Sequence, residues 1–383
     1  MLTIIQKTVI SSLIAGSILF TNSASAKNIV DIPADNNTIQ VALLLDTSNS
    51  MDGLIDQAKS RLWNIVNTLT TLRYKGQAPN IQIALYEYGN DRLSQDKNWI
   101  RQVTPLTQDL DLISEQLFAL RTNGGQEYVG AVISDATQQL NWNRSSTSMK
   151  LIYVAGNEPF NQGNINYTEA ISDARRNDIY INTIYCGDIK QGINTYWQDG
   201  AQVGGGKYFA IDSNEKVRHI DTPYDAQIST LNNQLNDTYI GYGSAGGIKK
   251  QAQVTQDSNA ASLSSATKAE RAVTKSKSSA YYNASWDVVD KYKEDKNFVI
   301  QAPDSELPTE LKNKTTAEKT AFIEAKALER TAVQKQIGEL AVQRQAYIDG
   351  QTKAQANKMG DDLGAAIEKS ITDIAREKGY EKQ

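Results

Sequence analysis

Sulfur and imidazole are nearly absent from this chain. Its 383 residues include one cysteine, Cys186, and one histidine, His219. A lone cysteine excludes an intrachain disulfide and a cysteine-based zinc site. Its place far along the chain also leaves no lipid-carrying cysteine behind the N-terminal segment. Cys186 closes the apolar run 179–186, so a buried, inert thiol is expected. A Ser-His-Asp triad would have to use His219, and no nucleophile-elbow motif accompanies it. An excess of positive charge is also lacking: 40 Lys and Arg stand against 44 Asp and Glu, a net charge of −4. No nucleic-acid partner is expected of such a chain.

Long apolar runs are missing as well. The N-terminal stretch Thr8 to Phe20 is too short to span a bilayer comfortably. With Lys7 before it and Ala24-Ser25-Ala26 after it, residues 1–26 read as a secretory signal peptide cleaved after Ala26. The expectation is a periplasmic or secreted protein whose mature chain has no transmembrane segment. Residues 27–37 are polar and form a leader.

From Thr38 onward, short apolar runs alternate with amphipathic stretches. Ile39 to Leu45, Lys150 to Ala155 and Ile179 to Cys186 suit strands buried on both faces, and Ile81 to Tyr88 alternates like a strand. Met51 to Leu72, Leu110 to Leu120, Val129 to Leu140, Tyr167 to Arg176, Thr195 to Val203 and Tyr224 to Leu235 carry helical spacing. Lys207 to Ile211 reads as a short strand. This alternation predicts an α/β, Rossmann-like, mostly parallel sheet with helices on both faces over residues 38–243. Gly241, Gly243, Gly246 and Gly247 mark a boundary. Residues 244–383 turn rich in Ala, Lys, Gln, Glu and Ser and predict an α-helical C-terminal region. Ala266 to Tyr292 reads as helical, Pro303 and Pro308 break the pattern, Thr315 to Asp349 forms a long helix, and Asp361 to Ile374 a last one. The long helix suits either packing on the sheet domain or an intermolecular coiled coil, which leaves a homo-oligomer open.

Asp46-Thr47-Ser48-Asn49-Ser50 lies where the first strand gives way to the first helix. Gly124-Gly125 then precedes a helix, and Lys150 to Asn157, Tyr180 to Asp188 and Gly204-Gly205-Gly206-Lys207-Tyr208 follow in order. With that D-x-S-x-S string in this setting, residues 38–243 resemble a von Willebrand factor A domain. Pro223-Tyr224-Asp225, Leu235-Asn236-Asp237-Thr238-Tyr239-Ile240 and Trp286-Asp287-Val288-Val289-Asp290 also look like segments of exported bacterial proteins in which such a domain precedes a helical tail. The resemblance implies a metal-ion-dependent adhesion site at the carboxyl ends of the strands, with Asp46, Ser48 and Ser50 offering oxygen ligands to Mg²⁺ or Ca²⁺. It also implies a protein or cell-surface partner.

Two ligands expected from the family are missing by residue type. Gly124-Gly125 is followed by Gln126 and Glu127 rather than threonine, and Thr122 lies before the pair. Gly156 falls where an aspartate is expected, with Asn157 and Glu158 beside it. Either Glu127 and Glu158 complete a more acidic cation site, or the string is metal-free and caps backbone N–H groups. The function expected is a non-enzymatic binding or adhesion module. The alternative is a structural or assembly protein with an oligomerising helical tail. An enzyme using Glu127 and Glu158 as an acid–base pair ranks behind both.

Overall fold

The computed structural model describes residues 37–354 and 363–383. The signal peptide and nearly all of the leader expected from the sequence lie outside them. The first half runs β1 (Thr38–Asp46), α1 (Asp52–Thr70), β2 (Leu72–Tyr74), β3 (Asn80–Tyr88), β4 (Ile100–Thr107), α2 (Leu110–Ala119), α3 (Val129–Gln139), β5 (Met149–Gly156), α4 (Tyr167–Arg176), β6 (Ile179–Cys186), α5 (Ile189–Asn194), α6 (Trp197–Val203) and β7 (Gly205–Ile211). Six of these strands form one sheet in the order β4-β3-β1-β5-β6-β7. All neighbours are parallel except β4, which pairs antiparallel with β3 at the edge. All nine residues of β1 are buried, as a strand flanked by two others and covered on both faces requires. The α/β architecture expected from the sequence is the one present.

The two faces have separate cores. On one, Val132, Ile133, Ile171, Phe160 and Trp197 pack on Ala42, Leu44, Ile152 and Val154. On the other, Leu54, Trp63, Ile65 and Leu69 of α1 pack on Val41, Leu43, Leu151 and Tyr153.

The second half is helical: α7 (Asp225–Asn236), α8 (Gly243–Leu263), α9 (Ser265–Lys275), α10 (Val288–Glu294), α11 (Phe298–Gln301), α12 (Thr316–Ala354) and α13 (Leu363–Glu377), closed by β8 (Tyr380–Lys382). The structure differs here from the division drawn at residue 243. Leu363, Ala366, Ile367, Ile371, Ile374 and Ala375 of α13 fall at helical spacing and belong to the same core as α1. Tyr153 Oη donates to Ser370 Oγ at 3.1 Å, and Ser370 Oγ to Asn182 Oδ1 at 2.5 Å, which pins α13 to β5 and β6. β8 then pairs antiparallel with β2. The last helix therefore completes the sheet's cover, and α7 to α12 are inserted between β7 and that helix.

The inserted helices are tied down by buried arginines. Arg271 of α9 is fully buried and pairs with Asp111 of α2 at 2.7 Å and Asp257 of α8 at 2.5 Å, with its guanidinium over the Trp63 ring. Arg330 of α12 pairs with Asp287 at 2.8 Å and Asp290 at 3.0 Å, donates to Thr238 O, and lies over Tyr239. Arg344 pairs with Asp225 at 2.8 Å. Lys275 and Arg271 hold the Asp257 carboxyl well below the usual range, against the opposing effect of its own burial. Val333 and Ile337 of α12 share a core with Ile228, Leu231 and Tyr239, while Leu328 and Val342 of the same helix stay exposed. The described residues form one compact unit.

Candidate functional site

In a parallel sheet the strands deliver their following loops to one end, where a crevice opens. Here that end collects residues 47–51 after β1, 89–92 after β3, the segment 120–128 ahead of α3, and 157–160 after β5. Three glycines allow the close approach. Gly89 has φ +76, a conformation that suits glycine. A Cβ on Gly125 would lie 2.4 Å from Gly89 O, so the loop carrying Glu127 can reach the cradle only because Gly125 has no side chain. Gly156 is the third, below.

Asp46 ends β1 at 0% exposure. Its Oδ1 accepts the Ser48 backbone N–H at 2.7 Å, and its Oδ2 is buried with no hydrogen-bond partner. Burial lifts the Asp46 pKa to about 7, with the charges of Glu127 and Glu158 adding to the rise and the Ser48 hydrogen bonds opposing it. Glu127, half-buried, is also lifted to about 7, by burial and then by Glu158. Glu127 Cγ and Asp46 Oδ1 both lie within 3 Å of the point where a Cβ on Gly89 would stand. Ser48 Oγ and Ser50 Oγ are 3.3 Å apart, and Asn157 Nδ2 donates to Ser50 Oγ at 3.3 Å. Ser48 is buried and Ser50 exposed, so the serine pair runs from the floor of the crevice to its rim. Glu158 Oε2 accepts from Gln162 at 3.2 Å.

The structure thus brings Asp46, Ser48, Ser50, Glu127 and Glu158 to one crevice. Among the described residues no three His, Cys, Asp or Glu side chains are close enough to hold a metal by themselves. The donor set is a mixed one, with Asp46 and the two serine hydroxyls at its centre and Glu127 and Glu158 further out.

The orphaned Asp46 Oδ2 fits a cation: a buried carboxylate oxygen without a donor carries a desolvation cost that a bound cation removes. Residues 46–51 also make local contacts of the capping kind, since Asp46 Oδ1 takes the Ser48 N–H. That contact leaves the second oxygen unused.

The two departures from the expected ligand pattern have physical reasons. Thr122 Oγ1 is taken up by Asp52 of α1, to which it donates. A Cβ on Gly156 would lie 2.5 Å from Tyr88 Oη and 3.0 Å from Asp46 Oδ2. Tyr88, wholly buried and donating to Ala155 O at 2.9 Å, fills the space that a side chain at 156 would need. Tyr88 was not singled out from the sequence, where it is one more residue of an alternating strand. Cys186 is 8% exposed, and burial beside Asp46 pushes its thiol far above the usual range, which agrees with an inert role.

Residues 40–222 match the family described as the von Willebrand factor type A domain. The sheet domain is a von Willebrand factor type A domain. Among solved structures, this chain is similar to proximal thread matrix protein 1 of the mussel byssus, at 15% identity over 46% of this chain and 42% of that one, with a TM-score of 0.34. It is similar to the SpRpn10 VWA domain at 15% identity over 47% of this chain and 90% of that one, TM-score 0.35. It is also similar to a von Willebrand factor type A protein from Catenulispora acidiphila, at 16% identity over 46% of this chain and 38% of that one, TM-score 0.34. The match spans less than half the length of the mussel and Catenulispora chains. Comparison with curated proteins gives no match. The A domain lies in a chain in which, among the described residues, no helix is long and apolar enough to cross a membrane.

Proposed function

We propose that this chain is an exported, non-enzymatic binding module whose A domain contacts a protein or cell-surface partner through the loops around Asp46. A divalent cation would sit against Asp46, Ser48 and Ser50, with Glu127 and Glu158 supplying further oxygens. The observation that carries this reading is the Asp46 carboxylate, sealed from water with one oxygen unpartnered and two more carboxylates within electrostatic reach. Such an arrangement is costly without a cation and favourable with one. Ca²⁺ takes a larger, more flexible shell of oxygens than Mg²⁺, and a cradle with two long glutamates suits it. Ca²⁺ is therefore expected to bind more tightly.

Calorimetric titration of the full chain with Ca²⁺ and Mg²⁺ tests this. The wild type is expected to give saturable heat, and Asp46→Ala none. A wild type that gives no heat at millimolar Ca²⁺ or Mg²⁺ contradicts the reading.

A further inference from the structure

Beside Glu158 the crevice has an apolar rim. Ile189, Ile193 and Tyr196 are 54%, 41% and 46% exposed. Their spacing of four and then three residues places them along one side of α5 and the turn that follows it. The residues on either side of Tyr196 are bonded to the loop that carries Glu158. Trp197 Nε1 donates to the backbone oxygen of Glu158 at 2.8 Å, and Phe160 N to Thr195 O at 2.9 Å. The Trp197 ring is buried beneath, edge-on to Phe160 at 5.0 Å.

Tyr196 has φ 71° and ψ 10°, the left-handed conformation. It follows the end of α5, a position where glycine is free of strain and tyrosine is not. Its ring has a single aromatic neighbour, Tyr167, at a tilted 6.2 Å. The fold would be served at least as well by glycine, and strain of this kind is kept where the side chain does something else. The charge on this side is negative. Glu158 and Asp188 both bear on Tyr185, and Asp199 accepts from Tyr167 Oη at 2.6 Å. Lys190 is the one basic residue of α5. Glu158, Asp188 and Asp199 have no ion-pair partner among the described residues.

We propose that Ile189, Ile193 and Tyr196, with the carboxylates beside them, dock a protein segment that presents apolar side chains next to a lysine or arginine. This rests on the binding-module reading and names the partner's chemistry. Exposed aliphatic and aromatic side chains at the centre of a small patch supply the affinity, and the flanking acidic groups orient a basic residue and repel an acidic one.

The test pans random phage-displayed peptides on the full chain in Ca²⁺. The selected peptides are expected to combine Lys or Arg with aliphatic or aromatic residues. Their affinity is expected to fall at least about tenfold on Ile193→Ser and on Tyr196→Gly. Both variants are expected to keep the wild-type cation heat, and Tyr196→Gly to melt at the wild-type temperature or above, because strain is removed. An acidic consensus, or peptides that bind both variants as well as the wild type, overturns the proposal while the cation reading stands. A clearly lower melting temperature for Tyr196→Gly also overturns it, by making the ring structural. Failure to enrich any peptide counts against this proposal and the binding module together, and absence of cation heat in the wild type counts against the cradle alone.

Discussion

A chain ended after Ala354 is expected to be unfolded, although it keeps every strand of the large sheet. The reason is α13. Leu363, Ile367, Ile371 and Ile374 are at most 2% exposed, and with Tyr380 they fill the core that α1 and the sheet share. Truncating one such side chain costs about 2–5 kcal/mol. Losing five together exceeds the roughly 5–15 kcal/mol by which a domain is stable. β2 also loses its partner, since among the described residues Leu72, Arg73 and Tyr74 pair only with β8 and, at Tyr74, a tight turn to Gln77. The single variant Ile371→Ala, at a position of 0% exposure, is expected to lower stability in urea by about 2–5 kcal/mol. A shortened chain that unfolds cooperatively at the wild-type urea midpoint would show that α13 is an accessory to the A domain.

Arg330→Met is expected to be the most costly single change in the inserted helices. Arg330 is 1% exposed and its guanidinium meets both Asp287 and Asp290, themselves buried. Methionine preserves most of the stem but leaves Asp287 without its cation and Asp290 with Lys293 alone, at 3.0 Å. Breaking a buried pair in this way costs about 3–5 kcal/mol, far more than the pair contributes relative to an apolar replacement of both sides. Lys335→Met is the control, five residues along the same helix. Its pair with Glu339 is 3.9 Å long and 78% and 62% exposed, and such pairs contribute about 0–1 kcal/mol. Equal losses for the two variants in urea unfolding would contradict the account of how the insertion is held.

The parts of this fold that follow one rule of spacing can be read from sequence. β6 and α4 occur where the apolar pattern puts them, at Ile179–Cys186 and Tyr167–Arg176. β4 was not legible, because Ile100–Thr107 contains Pro105 and polar residues that an edge strand tolerates and a central strand does not. Gly243, Gly246 and Gly247 read as a boundary, yet they open α8. Gly246 is there because its backbone meets Gly241, where a Cβ would lie 2.6 Å from the carbonyl carbon. α8 also buries Gln253, Gln256 and Asp257, so polarity hides its inward face. The helical run expected over 266–292 is interrupted between α9 and α10, where Asp287 caps the Asp290 N–H at 2.9 Å. Membership of α13 in the sheet core was out of reach for another reason: spacing shows that a helix is amphipathic, not which distant surface it covers.

At the site the division is similar. The strand-to-helix setting of Asp46-Thr47-Ser48-Asn49-Ser50 located the crevice, and Glu127 and Glu158 were found as the acidic residues nearest the missing ligands. The reason the aspartate is missing at Gly156 lay elsewhere, in Tyr88, one strand over, whose hydroxyl takes the volume beside Gly156. The exposed stripe on α5 carried no signal, since Ile189 and Ile193 look like core residues until burial is known.

The central claim is that the unpartnered oxygen of Asp46 faces a cation. A crystal of the full chain grown with Mn²⁺ and measured at the manganese absorption edge tests it most directly. The account predicts one anomalous peak bonded to oxygens of the Asp46, Ser48 and Ser50 side chains, at roughly 2.0–2.6 Å or through a single water. No peak in the crevice, with Asp46 Oδ2 bonded to a protein donor instead, would contradict it.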